Sequence, residues 1–294
     1  MPTLAHERVF DAAAPPTRWM LFLHGILGRR ANWRSFARRW VQARAAAGDP
    51  NWGAVLVDLR EHGDSQGLAG EPTIAHAAAD LVELVETPAG EAEGTEVAGV
   101  IGHSFGGKVA IAAASQLRAA GHPLAELWVI DAPPGPRPNP RDIGTERIFA
   151  LLAEMPARVA SRSAFIESMI AAGISKPTSQ WLATNLVEAE EPPGTWRFGP
   201  DLGRLRALLD DFKRVDLWPT LEAEAAAGTR VGLVVGGRSE ALFDEQLDRA
   251  HALAAAGRIA VETLAKAGHW VHVDDPDGLL EALARPPQSG ERAR

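Results

Sequence analysis

Val97-Ala98-Gly99-Val100-Ile101-Gly102-His103-Ser104-Phe105-Gly106-Gly107-Lys108-Val109-Ala110-Ile111-Ala112-Ala113-Ala114 reads as a strand, a turn and a helix in succession. The opening Val97–Ile101 run is apolar, as a strand buried on both faces must be, and Gly106–Ala114 is rich in strong helix formers. Between them, Gly102 and Gly106 flank Ser104 two residues to either side. A serine on so sharp a strand-to-helix turn is held in a strained backbone conformation with its hydroxyl above the sheet edge, and the flanking glycines give the room that this turn needs. Ser104 is therefore the candidate nucleophile.

Working outward, short apolar runs alternate with helical patterns, the order expected of a parallel sheet wound with helices. Strands are expected at Trp19–Leu23, Ala54–Asp58, Val97–Ile101, Leu127–Ile130, Arg230–Gly236 and Ile259–Leu264. Helices are expected at Thr73–Glu86 with Thr73 as N-cap, from Gly106 to about Ala120, near Glu245–Ala256 and at Asp277–Ala284. After Asp131 the pattern breaks. Pro133, Pro134, Pro136, Pro138 and Pro140 are too many for helix or inner strand, so an extended linker is expected. Beyond it, Thr145–Glu154, Arg162–Ala172, Ser179–Ala189 and Leu202–Phe212 read as amphipathic helices. The expected organisation is an α/β core over 1–135 and 216–294, carrying an all-helical insertion over 136–215, with Pro286–Arg294 as a disordered tail.

Composition narrows the chemistry. The 294 residues carry 30 Lys+Arg against 38 Asp+Glu, a net charge of −8 that argues against a nucleic-acid partner. Arg29, Arg30, Arg34, Arg38 and Arg39 cluster, but with the spacing of a solvated helix face. There is no cysteine, which excludes disulfides, thiolate metal sites and a cysteine nucleophile. No apolar run has the length of a membrane span and the N-terminus lacks a signal-peptide core, so a cytoplasmic location is the expected default.

A serine hydroxyl needs a base, and the base needs an orienting acid. On a sheet of this kind the chain order is serine, acid, histidine. His269, in Ala267-Gly268-His269-Trp270-Val271-His272, lies past the last expected strand, where a loop returns it to Ser104. His272 is its nearest rival; His103 is expected beneath the turn and His62 in support of its own loop. Two acids remain open. Asp131 stands at the tip of the strand after the Ser104 helix and is preferred; Glu240, in Gly236-Gly237-Arg238-Ser239-Glu240, is the alternative. Backbone N–H groups of Ile26 and Phe105 are the expected oxyanion donors.

The motifs His24-Gly25-Ile26-Leu27-Gly28, Asp58-Leu59-Arg60-Glu61-His62-Gly63-Asp64-Ser65, Gly102-His103-Ser104-Phe105-Gly106-Gly107-Lys108 and Gly268-His269-Trp270-Val271-His272 occur in this order. Together they resemble the α/β-hydrolase superfamily across nearly the whole chain. More narrowly, they resemble small bacterial acyl esterases with a four-helix cap and their mitochondrial relatives. Those relatives similarly carry serine where others have a late acid, as at Ser239, and their acid maps onto Asp131. Thr195-Trp196-Arg197-Phe198 also looks like their cap. The resemblance implies a mostly parallel sheet flanked by helices with 136–215 as the cap, and hydrolysis of small acyl esters or thioesters without a cofactor or metal. It leaves other bonds open to the same residues: a lactone, a carbon–carbon bond, an N-terminal peptide (for which Glu154, Glu167, Glu188, Glu190 or Glu191 could hold the amine), or perhydrolysis. A slow-turnover receptor on the same fold is the non-enzymatic alternative. Epoxide hydrolases and haloalkane dehalogenases are set aside, because both use aspartate at the position of Ser104 and the former also need tyrosines, which this chain lacks.

Overall fold

The apolar runs pair into one sheet in the computed structural model, which describes residues 3–87, 96–137, 143–191 and 193–284. Its strands are β1 (His6–Val9), β2 (Arg18–Leu23), β3 (Trp52–Val57), β4 (Glu96–His103) and β5 (Glu126–Ile130), completed by β8 (Arg230–Gly236) and β9 (Ala260–Leu264). Between the two groups, β6 (Leu186–Glu188) and β7 (Trp196–Phe198) form a separate antiparallel ribbon. The spatial order of the main sheet is β1-β3-β2-β4-β5-β8-β9, parallel except for β1, which runs antiparallel to β3. The helices are α1 (Arg34–Ala46), α2 (Ile74–Glu86), α3 (Phe105–Ala119), α4 (Ile143–Glu154), α5 (Arg162–Ala171), α6 (Lys176–Leu182), α7 (Leu202–Arg214), α8 (Trp218–Ala226), α9 (Asp244–Ala255), α10 (Val271–Asp274) and α11 (Pro276–Ala284).

Side chains alternate across the strands with a period of two, and each face has its own core. Leu21 and Leu23 of β2, Val55 and Val57 of β3, and Leu127 and Val129 of β5 join one cluster with α2, α3, α8 and α9. Met20 and Phe22, Ala54 and Leu56, and Trp128 and Ile130 point the other way, to α1, α10 and α11. Phe22 sits there edge-to-face with both Trp33 and Trp40, each ring 5.4 Å away. The inner strands are thus buried on both sides and are near-continuous apolar runs, whereas the edge strands β1 and β9 are half-buried and mix polar with apolar residues.

Several local features depart from the expected pattern. β1 is an added edge strand of four residues, too short for alternation to register. α8 was hidden by its weak amphipathicity; it buries Trp218, Leu221 and Glu224, and the last is paired with Arg118 at 2.9 Å. The segment between β5 and β8 is not all helical. The helix expected over Ser179–Ala189 ends at Leu182, passes through a 3-10 turn at Ala183–Asn185 and becomes β6. Val187 and the aromatic Trp196 and Phe198 favour the pleated pairing, and Pro193 and Gly194 lie in a turn before β7. Arg29 and Arg30 precede α1 instead of lying on its solvated face: Arg30 pairs with Asp58 and Asp64, and Arg29 also reaches Asp64. Pro138, Pro140 and the tail Pro286–Arg294 lie outside the described residues. The described part of the linker, 133–137, is free of helix and strand, bends at Pro134 and Gly135, and is pinned at two points: Leu217 N–H donates to the Pro134 oxygen at 2.9 Å and Arg137 N–H to the Lys213 oxygen at 2.7 Å. Among the described residues no helix is long and apolar enough to cross a membrane.

Candidate active site

β4 ends at His103 and α3 begins at Phe105, so the whole change of direction falls on Ser104, at φ 52° and ψ −118°. For a residue with a Cβ this conformation costs about 1–3 kcal/mol and persists only where the surroundings enforce it. Here they do. Ser104 N–H donates to the Ile130 oxygen at 2.9 Å, and its own oxygen accepts from Gly107 N–H at 2.9 Å. The chain crosses itself so closely that a Cβ on Gly102 would stand 2.0 Å from the Gly106 oxygen, and one on Gly106 2.6 Å from the His24 oxygen. Both glycines are required by contact, not by φ.

His269, on the loop after β9, brings Nε2 to 3.0 Å from Ser104 Oγ and Nδ1 to 2.6 Å from Asp131 Oδ2. A carboxylate can only accept, so Nδ1 carries the proton and Nε2 offers its lone pair to the serine hydroxyl. Asp131 is fully buried at the end of β5 with φ 48°. Its Oδ1 accepts from Gly236 N–H at 3.0 Å, and its Oδ2 accepts a second bond from the Ser239 hydroxyl at 2.5 Å. Ser239 therefore occupies the loop after β8 as a donor to the buried acid. Glu240, the alternative acid, is exposed at the cavity wall, and its main-chain oxygen accepts from Arg137. The structure brings Ser104, His269 and Asp131 into one chain of hydrogen bonds and leaves the Glu240 carboxylate outside it.

The other histidines hold the frame. His103 lies beneath the turn and donates from Nε2 to the His269 oxygen at 2.7 Å, fixing the backbone of that loop. His272, in the α10 turn, packs at a tilt against Trp33 with ring centroids 4.5 Å apart, and it is His269 that bonds Ser104 Oγ. His24 Nε2 accepts from Leu59 N–H, and His62 Nε2 accepts from Leu27 N–H, both at 3.1 Å. In each ring Nδ1 then donates to a main-chain oxygen, Gly25 for His24 and Arg60 for His62, at 2.8 Å. Burial pushes His24 and His272 down to about 4 and His62 down to about 3.

These depressed values make the fold acid-sensitive. An unfolded histidine titrates near 6.5 and takes up a proton below it, while the folded chain does not until pH 3–4. The stability from keeping these rings neutral is complete above pH 6.5 and is lost as pH falls toward the folded values. His24 alone loses about 2 kcal/mol by pH 5. The urea midpoint is expected to fall clearly between pH 7.5 and pH 5; an unchanged midpoint overturns the assignment of neutral buried rings.

The Gly25–Gly28 turn, closed by Gly28 N–H on the Gly25 oxygen at 2.9 Å, places Ile26 beside Ser104, and Phe105 is the first residue of α3. Neither the Ile26 nor the Phe105 N–H has an acceptor among the described residues. Leu27, at φ 63°, is gripped from two sides: His62 takes its N–H, and Asn185 donates from Nδ2 to its oxygen at 2.8 Å. Asn185 is buried and comes from the segment between β5 and β8, and no sequence signal singled it out. Asn185→Ala is expected to lower kcat on an ester substrate about tenfold, because losing a well-aimed oxyanion donor outright costs roughly 100- to 1000-fold. Unchanged kcat with a lowered Tm would make Asn185 purely structural.

Above these groups lies a cavity of about 430 Å3. Ile26, Leu27, Trp33, Ile148, Trp181 and Trp270 supply apolar wall; Thr145, Thr178 and Arg137 supply polar groups. Trp181 meets Trp270 edge-to-face at 4.4 Å, joining α6 to the His269 loop. On the inserted helices Trp181 lines this cavity, while Phe149, Leu152, Phe165 and Met169 are packed into the core. Among the described residues no group of three or more histidines, aspartates or glutamates is arranged to hold a metal ion.

Comparison with known proteins identifies the family. The chain is 27% identical over 277 residues to the mouse protein named sn-1-specific diacylglycerol lipase ABHD11, covering 93% of this chain and 81% of that one. It is 27% identical over 271 residues to esterase YbfF of Escherichia coli (strain K12), covering 90% and 91%. A solved marine microorganism esterase superposes with a TM-score of 0.74 at 20% identity, over 95% of this chain and 97% of that one. The alpha/beta hydrolase family matches residues 20–282, which take in the sheet from β2 to β9, the Ser104 turn and the His269 loop, and to that family this chain belongs.

Proposed function

We propose that this protein is a serine hydrolase that cleaves small carboxylic esters or thioesters through an acyl-enzyme, with Ser104 as nucleophile, His269 as base and Asp131 as orienting acid. The observation that carries this reading is the continuous chain Ser104 Oγ–His269–Asp131, with Nε2 bare toward the hydroxyl. The names of the mouse lipase and the bacterial esterase point to the same bond type.

In the reaction Ser104 Oγ attacks the carbonyl carbon while its proton passes to His269 Nε2. The imidazolium is stabilised by the buried Asp131 carboxylate. The carbonyl oxygen gains negative charge and is received by the N–H groups of Ile26 and Phe105; the second lies at the positive end of α3. Collapse of the tetrahedral adduct breaks the bond to the leaving oxygen or sulfur, which takes the proton from Nε2. Water then gives a proton to Nε2 and attacks the acyl-enzyme, returning Ser104 and the free acid. No step calls for a cofactor. The segment 136–215 acts as the cap over the cavity, and Trp181 and Ile148 form its ceiling for the acyl chain.

A p-nitrophenyl ester series from acetate to palmitate, run beside labelling by a fluorophosphonate, tests the assignment. Turnover of short and medium chains, with one label located on Ser104, is expected. No turnover of any ester together with an unlabelled Ser104 overturns it.

A further inference from the structure

Arg137 is a buried cation at the cavity whose guanidinium makes one hydrogen bond among the described residues. It is 7% exposed, yet it lines the main cavity and also a recess of about 30 Å3 shared with Ser104, Phe105, Leu209 and Phe212. A guanidinium carries five N–H donors in a fixed plane. One, on Nη2, meets the Glu240 main-chain oxygen at 3.0 Å, while the buried Nε has no hydrogen-bond partner among the described residues. The group lies near the Phe243 ring, 6.0 Å from its centroid, and no described carboxylate forms an ion pair with it. Charges of both signs lie around the recess: Lys108 Nζ donates to the oxygens of Phe212 and Val215 behind it, where Asp216 and Asp211 favour its protonation and Arg137 disfavours it, and Asp131, already engaged by His269, Ser239 and Gly236, lines the recess without an ion pair to Arg137. An arginine keeps its charge at any working pH, and leaving that charge buried without a counter-ion is costly. The backbone that carries it is held, with the Arg137 N–H donating to the Lys213 oxygen at 2.7 Å.

We propose that Arg137 receives an anionic group of the substrate, so that the preferred substrate is an ester or thioester bearing a carboxylate close to its scissile carbonyl. This rests on the serine-hydrolase reading above. A planar carboxylate accepts two parallel bonds from the guanidinium edge, and the low exposure of the site strengthens both. The carboxylate can belong to the acyl chain or to the leaving group, and two matched substrate pairs separate these sources.

The first pair is mono-p-nitrophenyl glutarate and p-nitrophenyl pentanoate; the second is 4-(butyryloxy)benzoate and phenyl butyrate. The wild type is expected to prefer the charged member of one pair, and which pair tells which side carries the anion. Arg137→Gln is expected to reduce that preference about 10- to 100-fold, and Arg137→Lys is expected to restore part of it. The preference is a ratio of two kcat/KM values from one preparation, so a partly unfolded variant does not distort it. Glutarate alone is expected to raise the Tm of the wild type and not that of Arg137→Gln, a readout that needs no turnover. A wild type without preference for either charged ester, or a preference that survives Arg137→Gln, overturns the proposal. If no ester is turned over and Ser104 takes no fluorophosphonate, the hydrolase reading fails, and the glutarate shift still decides whether Arg137 binds a carboxylate.

Discussion

Ser104→Ala is expected to lower kcat on a p-nitrophenyl ester by on the order of 10⁴-fold or more, with KM changed little and Tm unchanged or raised. The size follows from the arrangement. Without Oγ, His269 Nε2 has no hydroxyl to deprotonate, so the base and its acid contribute nothing to attack, and only substrate binding and the oxyanion donors remain. A unit of three groups loses most of its effect when any one is removed, which is why the fold-change is so large. The stability expectation has a separate source. Ser104 holds φ 52° for the sake of its hydroxyl's position, and that hydroxyl supports no other part of the described structure. Alanine keeps the Cβ and the strain, and it loses only one hydrogen bond to a half-exposed ring. Turnover within tenfold of wild type, measured with Tm and stoichiometric active-site labelling, would remove Ser104 from the mechanism and leave ligand binding as the leading alternative.

The parts of this molecule that were legible in its sequence are those where one local rule governs. The strands β2, β3, β4, β5 and β8 are buried over nearly their whole length, so each carries a continuous apolar stretch, while β9 is the half-exposed edge strand and keeps Glu262 and Thr263 within it. Ser104 is marked by the glycines that close packing at Gly102 and Gly106 demands, and His269 by its place after the last strand. Where the outcome depends on contacts distant in sequence, the sequence was mute. Leu186–Glu188 reads equally as helix; it becomes β6 because Trp196–Phe198 lies alongside it. Arg30 looks like a helix-surface residue until Asp58 and Asp64 come up beside it. Asn185 and Arg137 carry no motif, since what distinguishes them is burial beside Leu27 and beside the cavity. The choice between Asp131 and Glu240 was partly legible, since strand position and the family resemblance favoured Asp131 while leaving Glu240 open. Both lie at the right edge of the sheet, and the loop geometry after β8 gives the place of a late acid to the Ser239 hydroxyl, turned inward onto Asp131.

That choice can be forced in solution by one pair of isosteric changes. Asp131→Asn is expected to lower kcat by about 10⁴-fold, while Glu240→Gln is expected to change it less than about threefold, as exposed substitutions away from the reacting atoms do. The carboxylate of Asp131 accepts three bonds, from Gly236 N–H, the Ser239 hydroxyl and His269 Nδ1–H. An amide has one oxygen and one NH2, so it cannot accept all three. The Gly236 N–H is fixed at the end of β8, and turning the NH2 toward it would set donor against donor; the amide oxygen must therefore stay there. The NH2 then faces Ser239 and His269. The serine hydroxyl rotates to accept, but the imidazole can accept only by shifting its proton to Nε2. That tautomer points N–H at Ser104 Oγ, and the base is gone while every heavy atom remains in place. Circular dichroism and Tm near wild type beside a 10⁴-fold loss are thus the expected signature, distinct from misfolding. The opposite ranking, with Glu240→Gln the damaging change, would mean that the loop after β8 refolds in the reacting enzyme and brings Glu240 to His269 in place of Asp131.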